Sequence, residues 1–176
     1  MNTVKIQFLG ASGTVTGSKF YLKTPELNLL VDCGMFQGLK ELRQSNWMPL
    51  PIDVSKIDLV LLTHGHLDHT GYLPRLVKEG FKGEILGTLP TLKITRIILK
   101  DSAKIHEEEA EKANKEGYSK HNPALPFYTV EEAKKAIGLF KSIEKDEWVS
   151  ISPNIKFRFK YNGHIIGATF IELDIF

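Results

Sequence analysis

The apolar and polar positions change period several times along the chain, and each change marks an element. Val4, Ile6 and Phe8 alternate with polar residues, which predicts a half-buried strand. Residues 19–23 predict a second strand and 25–28 a hairpin turn. Leu29-Leu30-Val31 continues as a buried strand that delivers Asp32 at its end, and Gly34 and Gly38 then break the chain. Met35-Phe36 and Trp47-Met48 supply apolar anchors around a short polar segment, and Pro49 and Pro51 mark a loop. Residues 57–62, apolar after Asp58, read as a strand covered on both faces. Residues 71–79 predict a short helix closing at Gly80, and 82–87 a short strand. Strand, loop, helix, strand is the order of an α/β layered domain.

Thr88 is expected to cap a long helix with Pro90 in its first turn, where the missing N–H costs little. Ile94, Ile98 and Ile105 share one face of it. Lys93, Arg96, Lys100 and Lys104 share another, read either as a solvated face or as a stripe touching RNA phosphates. From 106 to 120 the chain is polar and charged, which reads as a helix end running into a surface excursion, with His106 and His121 exposed and not ligands. Thr129 with Glu132 is a capping-box signature for a helix running through Ala136 and Phe140. From Trp148 onward the pattern is strand-like: Ile155, Phe157, Phe159 and Tyr161, then Ala168, Phe170 and Leu173, with Gly163-His164-Ile165-Ile166-Gly167 between. No repeat or linker divides the chain.

With 176 residues there is room for one domain with a sizeable core. The formal net charge of +2 is too small to argue for nucleic acid, so phosphate binding would need a local patch or metal ions. A single cysteine, Cys33, excludes an internal disulfide and a zinc-finger scaffold, and beside an apolar run it reads as packing. Residues 1–10 lack the pattern of a signal peptide and no run reaches membrane-span length, so a cytoplasmic protein is expected. The loop at 10–18 lacks dinucleotide-binding spacing and leads into a strand, so it reads as a turn lining a site mouth rather than a phosphate cradle.

The chemistry concentrates in Thr63-His64-Gly65-His66-Leu67-Asp68-His69-Thr70-Gly71. Three histidines and an aspartate within six positions, at the end of an apolar strand, suit zinc, which takes nitrogen and oxygen ligands. His64 and His66 can point the same way from a loop that Gly65 keeps slim, while Asp68 and His69 face a second point nearby. Two metal positions ~3.5–4 Å apart fit that arrangement. His164, between Gly163 and Gly167, is the distant candidate ligand that makes three histidines and leaves a position for water. Asp32 either braces the ligand loop by accepting an imidazole N–H or caps the turn at Gly34.

These residues resemble the metallo-β-lactamase superfamily, whose HxHxDH signature is matched at 64–69. Val31-Asp32-Cys33-Gly34-Met35-Phe36-Gln37-Gly38 and Gly163-His164-Ile165-Ile166-Gly167-Ala168 extend the likeness to its beta-CASP branch of RNA-processing nucleases. Ala168 stands where many relatives have serine. The resemblance implies His64, His66 and His164 on a first zinc, Asp68 and His69 on a second, and Asp32 beneath the loop. It implies a metal-bound hydroxide attacking the scissile phosphorus, with Asp68 as the catalytic residue that orients or deprotonates the water.

The family's bridging aspartate, late histidine and inserted cassette have no counterpart here, and Asp174 falls too early for the first of these. Phe176 lies in a strand-like run. The expectation is therefore an α/β chain forming part of a four-layer αββα sandwich, truncated before its second half: residues 1–176 are the N-terminal part of a metallo-β-lactamase-like domain without the cassette. The expected activity is zinc-dependent phosphodiester hydrolysis, a ribonuclease whose site is completed only in a longer parent chain and which is weak or inactive alone. Two zinc ions belong to the complete protein, at most one held tightly by these residues, and manganese or iron suits the same donors. Single-stranded RNA is the expected partner, with no membrane and with a homodimer left open. The alternatives are a thioesterase or lactonase of the same fold, and a non-catalytic scaffold.

Overall fold

Period-two burial in the central strands sets the layering. Leu30, Val60 and Ile85 are register neighbours with no exposed surface, and all three join the larger apolar core. Leu61 and Leu86, one residue along, point the other way into a second core with Phe157 and Phe159. A strand so buried on both faces belongs between two layers.

The computed structural model describes residues 3–176. Its elements are β1 (Lys5–Gly10), β2 (Lys19–Lys23), β3 (Asn28–Val31), α1 (Lys40–Ser45), β4 (Leu59–Leu61), α2 (Leu67–Thr70), α3 (Leu73–Lys78) and β5 (Glu84–Gly87). There follow α4 (Leu89–Glu116), α5 (Val130–Ile137), β6 (Phe140–Ser142), β7 (Val149–Ser152), β8 (Ile155–Tyr161) and β9 (Thr169–Ile175). One sheet runs β1-β2-β3-β4-β5-β6, antiparallel through β3 and parallel from β3 to β6. The other is an antiparallel meander, β7-β8-β9. Residues of α3, α4 and α5 cover one face of the first sheet, and β8 covers the other through Ile155, Phe157 and Phe159. The layers are helix, sheet, sheet; among the described residues no helix covers the outer face of β7–β9, as a partial αββα sandwich requires.

Several local expectations change. β1 forms, but Ile6 and Phe8 are 57% and 60% exposed, because the second sheet packs over β3–β5 and leaves this edge uncovered. The predicted helix at 71–79 is α3, Leu73–Lys78, and a separate turn of helix, α2, precedes it inside the histidine motif from Leu67. The long helix does not end near 106: it continues to Glu116 and stops at Gly117, which takes the left-handed φ of 69°. Its last turns bury Ala110 and Ala113, so a charged sequence still has an apolar side. The capping box at Thr129 and Glu132 is present, with both hydrogen bonds made. That helix ends at Ile137, however, and Phe140 opens β6, an edge strand parallel to β5. The polar segment after Gly38 is the six-residue α1, with no buried residue.

Candidate metal centre

The parallel strands β3 and β4 end side by side, and everything that converges on the site leaves from their carboxyl ends, the usual place for a site in a parallel sheet. Asp32 follows β3 directly and takes a positive φ of 57°, which turns the chain out of the strand. Cys33 N–H then donates to His69 O at 2.8 Å, and Met35 N–H to Leu67 O at 3.2 Å, so the exit from β3 lies flat against α2. The approach is so close that a Cβ on Gly34 would sit 1.5 Å from Asp68 O. Gly65 is pressed in the same way against the Ile94 side chain of α4.

Three imidazoles meet above this platform. His66 Nδ1 lies 3.1 Å from His64 Nε2 and 3.3 Å from His164 Nε2, and the three nitrogens all fall within 4.8 Å of one another. Donors at about 2.0–2.1 Å around a tetrahedral zinc stand about 3.3 Å apart, so both separations to His66 fit one shared cation, toward which His64 and His164 would close slightly. Among the described residues this is the one group of three or more such side chains. Asp68 and His69 form a separate pair, with Asp68 Oδ2 3.7 Å from His69 Nε2, offering two donors for a second ion.

Hydrogen bonds decide which ring nitrogen is free. Asp32, 2% exposed, accepts from His69 Nδ1 at 2.7 Å, which turns His69 Nε2 toward Asp68. The same carboxylate accepts from the Thr63 hydroxyl at 2.9 Å, from Thr63 N–H at 2.8 Å and from the Ser18 hydroxyl at 3.3 Å. With its proton given to Asp32, Thr63 Oγ1 can accept from His64 Nδ1 at 3.0 Å, leaving the His64 Nε2 lone pair pointing at the site. One buried carboxylate thus sets two imidazole tautomers, one directly and one through a threonine. Burial, with the charge of His69 as the next cause, pushes His64 down to about 4, so this ring is neutral and available at neutral pH. Burial opposes charge on His69 too, but the bond to Asp32 and the charges of Asp32 and Asp68 outweigh it and hold that ring above the ordinary value.

His164 arrives on a loop docked at two places. Gly163 and Gly167 have φ of 76° and 82°, and Thr169 N–H donates to Thr63 O at 2.8 Å. Gly167 O accepts from the Thr88 and Thr91 hydroxyls at 2.7 and 2.8 Å. Thr88 holds the N-cap position of α4 as expected, but its side chain does not cap the helix; it holds the His164 loop instead. A cleft of about 530 Å³ opens beside the ligands, lined by Ala11, Phe20, Asp32, Thr63, His69 and His164 among others. The 10–18 loop thus reaches the mouth through Ala11 and braces the site through Ser18, whose N–H donates to Asp68 O at 2.8 Å.

Other expectations sort cleanly. Cys33 is fully buried and its thiol is pushed up to about 12 by that burial, which makes it packing. His121 is exposed and outside the metal group. His106 is also outside that group but is not exposed: it is half-buried, edge-on to Tyr128 at 5.0 Å, because α4 continues beneath the 118–127 loop. Lys93, Arg96, Lys100 and Lys104 stand exposed along α4 and line neither cleft, and Lys104 pairs with Glu108 at 3.6 Å. Asp174 pairs with Lys156 across β8 and β9 at 3.5 Å, away from the ligands. Sequence reasoning missed Ser18, Thr63 and Lys19. Lys19 is 1% exposed and packs under the rings of Phe36 and Tyr72, supporting the segment that carries Gly34.

Comparison with known proteins agrees with this geometry. The model of the metallo-beta-lactamase superfamily matches residues 13–142, and the chain belongs to that superfamily. The likeness to its RNA-processing branch is borne out by curated relatives. Ribonuclease TTHA0252 of Thermus thermophilus is 34% identical over 168 residues, covering 96% of this chain and 34% of that protein. Transcription termination factor FttA of Methanocaldococcus jannaschii is 30% identical over 172 residues, covering 98% of this chain and 25% of that protein. The chain thus spans about a third or less of the curated relatives it matches. Among solved structures, the subclass B3 metallo-beta-lactamase BJP-1 of Bradyrhizobium japonicum superposes with a TM-score of 0.53 at 21% identity. That match covers 96% of this chain and 53% of that one, and it shows the shared fold.

Proposed function

We propose that these residues form the metal-binding part of a zinc-dependent phosphodiester hydrolase that cleaves single-stranded RNA in the cytoplasm. The observation that carries this reading is the convergence of His64 Nε2, His66 Nδ1 and His164 Nε2, with the His64 tautomer set by Asp32 through Thr63. A divalent cation in such a set supplies Lewis-acid charge to a phosphate oxygen and acidifies water. The chain's own residues do the rest. His64, His66 and His164 would hold the cation; Asp32 and Thr63 keep the His64 lone pair inward; Gly34 lets α2 lie close enough to aim Asp68. Asp68, 20% exposed at its side chain, orients the attacking water and takes its proton, becoming the neutral acid as the hydroxide oxygen bonds to phosphorus, and His69 beside it holds the carboxylate in place beforehand. Asp68 and His69 would hold a second cation more weakly, since they offer it two donors.

The RNA substrate is supported by the ribonuclease relative, matched along nearly the whole of this chain. Manganese or iron in place of zinc, and a small acyl ester or thioester in place of RNA, are the rivals. Incubating the full natural polypeptide, metal-loaded, with a labelled single-stranded RNA and with a model thioester separates the substrates. Endonucleolytic or exonucleolytic RNA products that vanish in Asp68→Asn are expected. Thioester turnover with intact RNA would assign the site to small-molecule hydrolysis instead.

A further inference from the structure

A second cavity, larger than the one beside the histidines, contains no metal ligand. It is a cleft of about 1320 Å³ between the 35–47 arm and the 118–127 loop, floored by the last turns of α4. Resting on the nuclease reading above, we propose that this cleft binds the bases of single-stranded RNA leading away from the metal centre.

Four observations carry it. The first is continuity: the cleft begins at Met35 and Phe36, three and four residues past Asp32, and Met35 N–H is held to Leu67 O of the ligand helix. The second is order in its wall. Asn46, 4% exposed, clamps Phe36 with two bonds of 2.9 Å, and Trp47 stands edge-on to Phe127 at 5.1 Å. The third is surface chemistry. Trp47 and Tyr118 are 50% and 60% exposed on the two sides of the cleft, and flat aromatic faces kept in water suit stacking of unpaired bases. The fourth is charge. Arg43 and Lys120 line the cleft, exposed and without an ion pair among the described residues, against the one lining carboxylate, Glu109. Stacking platforms with cations beside them are the pattern of sequence-tolerant single-strand binding, whereas an apolar protein segment would leave both cations uncompensated. The cleft is distinct from the basic stripe of α4, which supplies cations but no aromatic face.

The test uses this 176-residue chain in a Trp148→Phe background, where Trp47 is the one remaining tryptophan, with a decauridylate as the probe. RNA is expected to quench Trp47, and Tyr118→Ala and Lys120→Glu are expected to weaken binding about five- to tenfold each. Both side chains are exposed, so melting temperatures should stay unchanged and the loss reads on binding. Lys93→Glu with Lys100→Glu is the counter-test on α4. RNA binding that leaves Trp47 unquenched, or that falls with the α4 pair and not with Tyr118 or Lys120, would overturn the cleft while leaving RNA as the substrate. Absence of RNA binding by the unsubstituted chain would overturn it too, and metal-dependent RNA cleavage measured separately decides whether the nuclease reading falls with it.

Discussion

Asp32→Ala is expected to cost about 3–5 kcal/mol of folding stability, read as a lowered denaturation midpoint in guanidinium. The estimate follows from what the carboxylate satisfies. It is 2% exposed and accepts from Thr63 N–H, the Thr63 and Ser18 hydroxyls and His69 Nδ1. Deleting it strands the buried Ser18 hydroxyl and the partly buried donors of Thr63 and His69, at roughly 1–3 kcal/mol for each that water cannot reach. The positive φ of 57° adds a further penalty for alanine, since aspartate and asparagine tolerate that region better. Such a loss is a large fraction of the roughly 5–15 kcal/mol that keeps a domain folded. Asp32→Asn separates the two roles. It fits the same space and dihedral, so it should fold, but an amide cannot accept from Thr63 and His69 as a carboxylate does. Metal affinity should then fall about 10- to 100-fold by calorimetric titration. An alanine variant as stable as the parent would remove Asp32 from the support of the site.

Gly34→Ala is expected to be at least as damaging, at about 3 kcal/mol or more, although it adds one methyl group. That methyl would lie 1.5 Å from Asp68 O, 2.0 Å from Asp68 C and 2.6 Å from His69 N, all backbone atoms of the ligand pair. No rotamer relieves such a clash, so α2 must move and take Asp68 and His69 with it. Gly38→Ala is the informative control. It has a φ of 81° but nothing within 4 Å, so only the dihedral penalty of about 1 kcal/mol should appear. Thermal melts of the two variants should therefore differ widely. Equal melting temperatures would mean that the contact between β3 and α2 is loose in solution.

The contrast between these glycines also shows where sequence reasoning reaches its limit. His64, His66, Asp68 and His69 were legible because their chemistry is packed into six neighbouring positions at the end of an apolar strand. His164 was legible only by adding a distant loop to that half-built set. Thr63 and Ser18 were not, because a hydroxyl's partner is chosen by which strand ends meet, and no spacing along the chain records that Thr63 lies between Asp32 and His64. The same limit applies to the fold. The buried strands β3, β4 and β5 and the capping box at Thr129 are local patterns and read correctly. β1 kept its alternation but lost its burial, because burial there depends on how far the second sheet extends. His106 was misjudged for the converse reason: its charged neighbours describe the outer side of α4, while Tyr128, twenty-two positions on, covers its inner side.

The central claim is that His64, His66 and His164 form one preorganised cation site. Zinc content after exhaustive dialysis, measured for this 176-residue chain and for its His66→Ala and His164→Ala variants, is the decisive measurement. One tightly held equivalent is expected in the unsubstituted chain and none in either variant, with the melting temperature raised by zinc in the first and unmoved in the other two. A full equivalent retained by His164→Ala, or two ions held equally tightly by the unsubstituted chain, would rule out the three-histidine site.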